Sequence, residues 1–239
     1  MAEPVPMPRR GGLSPADDLP PGARKKSVAR EYAEAFAVAI ALALVIRTFF
    51  IQAYKIPSGS MEPTLLIGDH ILVNKLIYGL RIPDSVFGVR PLSGIIPYGE
   101  YLFRIEPIHR GDVVVFVFPP DPTKDFIKRV VAVAGDTVEV RDKSVYLNGR
   151  KMEDPHAYYQ PAESQVRIAP RDRYGPAVVP KGKVFVMGDN RDRSYDSRFW
   201  GFVDDGNVEG RAMIIYWSWD SDSSSYIPIR WDRFGHIIH

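Results

Sequence analysis

Apolar positions along the chain follow two different patterns. Residues 35–46 form an unbroken uncharged run, and apolar character resumes after Arg47 through "TFFIQAY" to Tyr54. At ~1.5 Å rise per residue the uncharged run covers ~18 Å, and extension to Tyr54 brings it to ~30 Å, the thickness of a hydrocarbon core. Arg47 lies about two turns from that end, so its head group can reach the interface. The pattern predicts one membrane helix over residues 31–54. After residue 110 the texture changes to short runs rich in β-branched and aromatic residues: "GDVVVFVF" (111–118), "FIKRVVAV" (126–133), "DTVEVRDKSVYLNGR" (136–150), "KVFVMG" (183–188) and "AMIIYWSW" (212–219). Gly, Pro and Asp break these runs, as expected between strands. "LNGR" (147–150) carries the Asn-Gly pair of tight hairpins. No helical period of comparable strength follows residue 54, and no internal repeat is present. Residues 151–180 hold five prolines and many charges, and predict an excursion with little sheet of its own, inserted at about 140–182.

Charge sharpens the first pattern. Arg9, Arg10, Arg24, Lys25, Lys26 and Arg30 precede the apolar run, against Glu3, Asp17 and Asp18. A basic flank places the N-terminus inside and everything after the helix outside. A buried core helix would leave that flank unexplained. A cleavable signal peptide would need small residues where Phe50 and Ile51 stand, so a retained signal-anchor fits best. The expected organisation is a Pro/Gly-rich cytoplasmic tail (1–30), an anchor (31–54) and an extracytoplasmic β-rich body (55–239).

Composition removes several classes of function. With 239 residues, 45% hydrophobic and 25% charged, the chain can build a sizeable core. A net charge of +2 gives no argument for a nucleic-acid partner. There is no cysteine, hence no disulfide and no thiol nucleophile, and the five histidines lack the spacing of metal ligands. No metal or organic cofactor is expected.

Two stretches and one lysine carry candidate chemistry. "IPSGSMEPTL" (56–65) leaves the apolar segment with three hydroxyls, more than a turn requires. A serine is a poor nucleophile until a base takes its proton. In "DFIKRVV", a strand would put Lys128 on one face with Phe126 and Val130, and Ile127, Arg129 and Val131 on the other. An exposed lysine is only about 0.04% neutral at pH 7. A shift of roughly three units, about 4 kcal/mol, makes it a usable base, and burial among apolar groups supplies a shift of that size. Taken alone, Lys128 reads more readily as a snorkelling edge-strand residue than as a base. "MGDNRDRSYDSRFWG" (187–201) reads as a solvated Asx-rich loop or as a hydrogen-bonding scaffold beside a buried site. It fails the calcium-loop pattern, having no glycine at the sixth position and no closing glutamate.

In this order, the stretches resemble bacterial type I signal peptidases, membrane-bound Ser–Lys serine proteases. The matching blocks are "IPSGSMEPTLLIGDHILVNK", "RGDVVVF", "DFIKRVVAVAGD", "GDNRDRSYDSRFWG" and "YWSW", spanning roughly residues 40–219. The resemblance implies a mainly β fold, a signal-peptidase/LexA-like antiparallel catalytic domain behind a single N-terminal transmembrane helix. It implies Ser60 as nucleophile and Lys128 as general base, with the Ser58 hydroxyl and the Ser60 N–H as oxyanion donors. Ser194 would orient the Lys128 amine, and Asp196 and Arg198 would form a supporting ion pair. Ile56, Pro57, Met61, Leu65, Phe126 and Ile127 would line small pockets selecting Ala-x-Ala sites in signal-peptide-bearing preproteins. The lipid bilayer and the translocation channel are the implied neighbours, with the bacterial cytoplasmic (inner) membrane as location and no nucleic acid. Thr64 receives no role.

The chain departs from the family pattern in several places. It offers one membrane segment where some members have two, and lacks the catalytic-domain cysteines of some. "AVAGD" stands where a proline turn is common, and Arg193 replaces a frequent asparagine. Residues 79–107 form a long stretch between matched blocks. Two rival readings are a self-cleaving LexA-type protein, which would need an upstream helix-turn-helix, and a non-catalytic anchored β-domain, which would not need Ser60, Lys128 and Ser194 together.

Overall fold

The computed structural model describes residues 27–81, 101–161, 170–220 and 228–239. The predicted basic tail, apart from its last residues, and most of the stretch 79–107 lie outside them. The chain divides into two units, Met1–Leu42 and Ala43–His239.

The first helix, α1, runs over Val28–Phe49. Ser27 caps it, its hydroxyl accepting from the Arg30 N–H at 3.3 Å. None of its residues is buried, and its 22 residues are long and apolar enough to cross a membrane, at about 33 Å. The predicted continuation of the helix to Tyr54 is not met. Ile51–Lys55 is instead a strand, β1, paired antiparallel with β2, Asp69–Asn74. Phe50 and Ile51, aromatic and β-branched, are poor helix formers, and the β2 segment offers the backbone from Ile51 a sheet partner.

The remaining strands are β3 (Gly79–Arg81), β4 (Tyr101–Arg104), β5 (Val113–Val117), β6 (Asp125–Val133), β7 (Thr137–Arg141), β8 (Ser144–Leu147), β9 (Arg150–Lys151), β10 (Arg173–Val178), β11 (Lys183–Met187), β12 (Val203–Asp204), β13 (Val208–Ser218) and β14 (His236–Ile237). One short helix, α2, covers Ser197–Trp200. The main sheet has the order β1-β2-β13-β5-β6-β11-β12, with β14 also on β13. Its ladders are all antiparallel. The fold is therefore mainly β, as the alternating texture predicts.

Strand β5 shows how the sheet organises the core. Val113 and Val115 enter one apolar cluster with Ile56, Met61, Leu65, Ile71, Val73, Ala212 and Ile215. Val114 and Phe116 enter a second on the opposite face, with Val130, Val184, Val186 and Val208. A strand buried on both faces reads as an unbroken apolar run, which is what "VVVFV" is.

Within residues 151–180, read as having little sheet of their own, β10 is an added strand: it pairs with β7 in a second sheet, β10-β7-β8-β9. The Asn-Gly hairpin is present between β8 and β9, with Asn148 at φ 52° and Leu147 opposite Arg150. β10 was hidden in the sequence by its "GP". Pro176 is tolerated because β10 lies at the edge, where a bulge interrupts its register with β7. Gly175 has φ 74°, and a Cβ there would lie 2.6 Å from the Val138 carbonyl oxygen.

Candidate active site

The loop leaving β1 returns to β2 within fourteen residues and is closed from both ends. The Ile56 N–H donates to the Asp69 carbonyl at 2.8 Å, and the Gly68 N–H to the Ile56 carbonyl at 3.0 Å. Inside it, Gly59–Met61 forms one 3-10 turn. Met61 and Leu65 sink wholly into the first core cluster, which fixes the turn and holds Ser60 at 8% exposure. The Asp69 carboxylate accepts from the Leu66 N–H, Ser218 and Arg233, tying the turn to β13 and to the C-terminal segment.

Lys128 meets this turn from β6. Its Nζ lies 2.7 Å from Ser60 Oγ and donates to the Ile127 carbonyl at 2.8 Å. The lysine is 4% exposed, and among the described residues its amine makes no salt bridge. The snorkelling reading fails, because the amine is buried against Ser60 and the Ile127 carbonyl rather than turned to solvent. Burial pushes the Lys128 amine down to about 8, opposed by Asp196 and Asp189 and aided by Arg198. A serine and a largely deprotonatable amine in hydrogen-bond contact can act as nucleophile and base. Ser58 Oγ lies 3.4 Å from Ser60 Oγ, on the exposed side of the turn.

The loop after β11 forms the other wall. Gly188 is the close approach: a Cβ there would fall 2.3 Å from the Ser60 carbonyl oxygen and 2.4 Å from Ser194 Oγ. Asn190 grips the turn twice, its N–H donating to the Ser60 carbonyl at 3.2 Å and its Nδ2 to that of Gly59 at 3.1 Å. Asp196 accepts from Arg198 Nε and Nη2, both at 2.8 Å, and from the Gly188 N–H at 3.1 Å. Its burial pushes the carboxyl up, but Arg198, Ser194 and Gly188 outweigh that and hold it below the usual range. Arg198 also donates to the Arg171 and Arg191 carbonyls, so both members of the pair are fixed.

Two expectations need correction. Ser194 does not bond the Lys128 amine. Its hydroxyl accepts from the Gly188 N–H at 3.1 Å and bonds Asp196, so it stands behind the lysine as part of the loop's own network. Of the expected pocket residues, Ile56, Met61 and Leu65 are core side chains at 2%, 0% and 0% exposure. Only Pro57, Phe126 and Ile127 present surface beside Ser60. Met61 and Leu65 support the turn from beneath because their methylenes are worth more in the core than at a surface.

A second ion pair has no counterpart among the expected residues. Arg129, the neighbour of Lys128, makes a two-pronged pair with Asp189 at 2.8 and 2.7 Å, and Thr64 donates to the same carboxylate at 2.6 Å. Both members are almost wholly buried. The alternation of β6 already put Arg129 on the face opposite Lys128, and the unassigned Thr64 was the other available signal.

Comparisons with known proteins identify the family of the chain. The family model for signal peptidase, peptidase S26, matches residues 29–217. The signal peptidase I of Pseudomonas aeruginosa is 35% identical over 248 residues, covering 90% of this chain and 81% of that one. That of Aquifex aeolicus is 37% identical over 241 residues, covering 79% and 84%. A crystal structure of a signal peptidase I from Enterococcus faecalis V583 shares 32% identity over 45% of this chain and 97% of its own, with a TM-score of 0.35. The chain belongs to the signal peptidase, peptidase S26, family.

Proposed function

We propose that this chain is a membrane-anchored serine endopeptidase that removes N-terminal signal peptides from exported preproteins, with Ser60 as nucleophile and Lys128 as general base. One observation carries the reading: a buried lysine amine, with no salt bridge among the described residues, lies 2.7 Å from a buried serine hydroxyl. Neutral Lys128 takes the Ser60 proton as Oγ attacks the scissile carbonyl carbon. The Ser58 hydroxyl and the Ser60 N–H meet the negative oxygen. The ammonium then gives its proton to the departing amide nitrogen as the C–N bond breaks, leaving an ester on Ser60. Lys128 next takes a proton from water as the water oxygen attacks the ester, then returns that proton to Ser60 Oγ as the acyl C–O bond breaks and the signal peptide leaves as a carboxylic acid.

The preprotein lies extended beside β6. β11 pairs with β6 only at residues 129–133, so residues 126–128 present an edge next to Ser60 where a peptide strand can be added. The shallow apolar surface of Pro57, Phe126 and Ile127 accepts small side chains and collides with large ones, which suits Ala-x-Ala sites. α1 serves as the anchor, with the basic tail inside and the β-rich body outside the bacterial cytoplasmic membrane, near the lipid and the translocation channel. Trp219 and Trp231, 42% and 64% exposed, suit a headgroup layer. Anchoring confines enzyme and tethered substrate to one surface and raises their effective concentration.

The test is cleavage of a preprotein bearing an Ala-x-Ala site by the detergent-solubilised full chain. Ser60→Ala and Lys128→Ala should each lower kcat by about 10³ or more. Below about pH 8 the rate should fall roughly tenfold per pH unit as Lys128 protonates. Cleavage surviving Ser60→Ala would sink the nucleophile, and a flat profile between pH 5 and 9 would sink the lysine base.

A further inference from the structure

Within the loop 188–198 nearly every side chain is buried, including Asp189, Asn190, Arg191, Ser194, Asp196 and Arg198. Tyr195 is an exception: a large aromatic left 53% exposed between two buried neighbours. It is not isolated. Its ring meets Phe118 edge to face at 6.1 Å and Phe199 at 5.2 Å. Phe118 in turn stacks on Phe126 at 4.1 Å with the planes 7° apart, and Lys128 Nζ stands 5.5 Å from the Phe126 ring centre. A continuous aromatic ledge therefore runs from beside the Lys128 amine out to solvent, ending at Tyr195.

The chemistry of the proposed reaction says which part of a substrate reaches that ledge. The amine that takes the Ser60 proton must hand it to the scissile nitrogen. That nitrogen therefore lies within reach of both Ser60 Oγ and Lys128 Nζ. The first residue of the released chain hangs from it, on the Lys128 side of Ser60. Ser60 and Ser194 bracket the same Gly188 α-carbon, so Tyr195 is one residue beyond the site on its loop. Packing against Phe118 and Phe199 still leaves about half of Tyr195 open to solvent. Among the described residues its hydroxyl makes no hydrogen bond.

We propose that Tyr195, backed by Phe118 and Phe199, is a specificity-determining residue for the side chain that follows the scissile bond, favouring an aromatic one by ring contact. The proposal rests on the endopeptidase reading above. It concerns the leaving side of the substrate, distinct from the small pockets on the signal-peptide side.

The test uses the solubilised full chain and two preproteins identical except for Phe or Gly immediately after the cleavage site. The unaltered protein should show kcat/KM for the Phe substrate about 3- to 10-fold above that for Gly, the size of one aromatic contact. Tyr195→Ala should bring the ratio close to one, and Tyr195→Phe should restore it. The ranking of Ala, Ser and Leu just before the cleavage site should be the same in all three proteins, which a general loosening of the loop would not leave intact. An unchanged Phe/Gly ratio in Tyr195→Ala, or no Phe preference in the unaltered protein, would overturn the ledge while leaving the endopeptidase standing. Failure of the unaltered protein to cleave either substrate would overturn the endopeptidase reading and the ledge with it.

Discussion

The two faces of β6 treat a buried cation in opposite ways. Lys128 and Arg129 are adjacent and nearly equally buried, at 4% and 2% exposure. Arg129 meets the Asp189 carboxylate with two parallel hydrogen bonds and stays charged. Among the described residues the Lys128 amine hydrogen-bonds a hydroxyl and a carbonyl, neither of which can neutralise an ammonium. Equal burial with unequal partners thus makes one residue a fixed structural charge and the other a group poised to lose its proton. The residue types fit their faces. A guanidinium keeps its proton in any protein setting and suits the paired side, whereas an amine responds to burial and suits the reactive side.

The sharpest way to break this contrast is to take away the carboxylate. Asp189→Ala takes away the two-pronged partner of the buried Arg129, whose Nη1 keeps its bonds to the Gly111 and His239 oxygens, and costs about 3–5 kcal/mol of stability. Thermal or denaturant unfolding of the full chain in detergent checks it. A second effect follows on the other face. Asp189 is one of the two carboxylates holding the Lys128 amine up, so in the folded variant the acid limb of the pH–rate profile should move to lower pH. Unchanged stability would mean that the Arg129 face carries no such role.

How far this arrangement is legible in the sequence depends on the range of each cause. The β texture of residues 111–118 and 126–133 is local, and β5 and β6 appear there within a residue or two. The Asn148–Gly149 turn is read for the same reason. The strand Ile51–Lys55 is missed because its apolar residues continue the helix pattern, and only pairing with β2, about twenty residues on, pulls them out of it. The Ser60–Lys128 contact comes from family resemblance, since separation in sequence says nothing about it. Ser194 is read onto the wrong partner because a hydroxyl near a buried amine and a buried carboxylate can serve either, and Asp196 with the Gly188 N–H offers it the better-satisfied place. Arg129, Asp189 and Thr64 share one site from three segments, a juxtaposition that no local pattern encodes.

A smaller test acts on Lys128 itself. Its folded value of about 8 lies below the ordinary 10.5, so between those values the unfolded chain holds more protons. Stability therefore rises with pH across that window. Below pH 8 the buried ammonium carries its full penalty, about 3 kcal/mol for a shift of this size. Lys128→Met removes the charge while keeping the length of the side chain. The variant should be inactive yet more stable than the unaltered protein at pH 7. Its advantage should narrow by about 3 kcal/mol as the pH rises from 8 to 10.5, read as the difference between the two unfolding curves at each pH. Groups common to both proteins cancel in that difference. A constant gap across the window would mean that Lys128 does not change its proton affinity on folding.

The smallest effect belongs to Thr64, which joins the two faces. Its hydroxyl donates to Asp189 Oδ2 at 2.6 Å, and it sits four residues after Ser60, where the Leu65 N–H closes back on the Met61 carbonyl at 2.9 Å. Through it the structural ion pair reaches the turn that carries the nucleophile. Thr64→Val removes one hydrogen bond to a charged group, worth about 1.5 kcal/mol, while Arg129 keeps its two bonds to the carboxylate. The midpoint of thermal unfolding should fall by about 3–6 °C for a chain of this size. Turnover should fall less than tenfold, because Asn190 still holds the Ser60 and Gly59 carbonyls. If turnover falls as far as in Ser60→Ala, the hydroxyl is needed for the chemistry itself. If neither quantity moves, the faces are independent, and the placement of Ser60 owes nothing to the Arg129 pair.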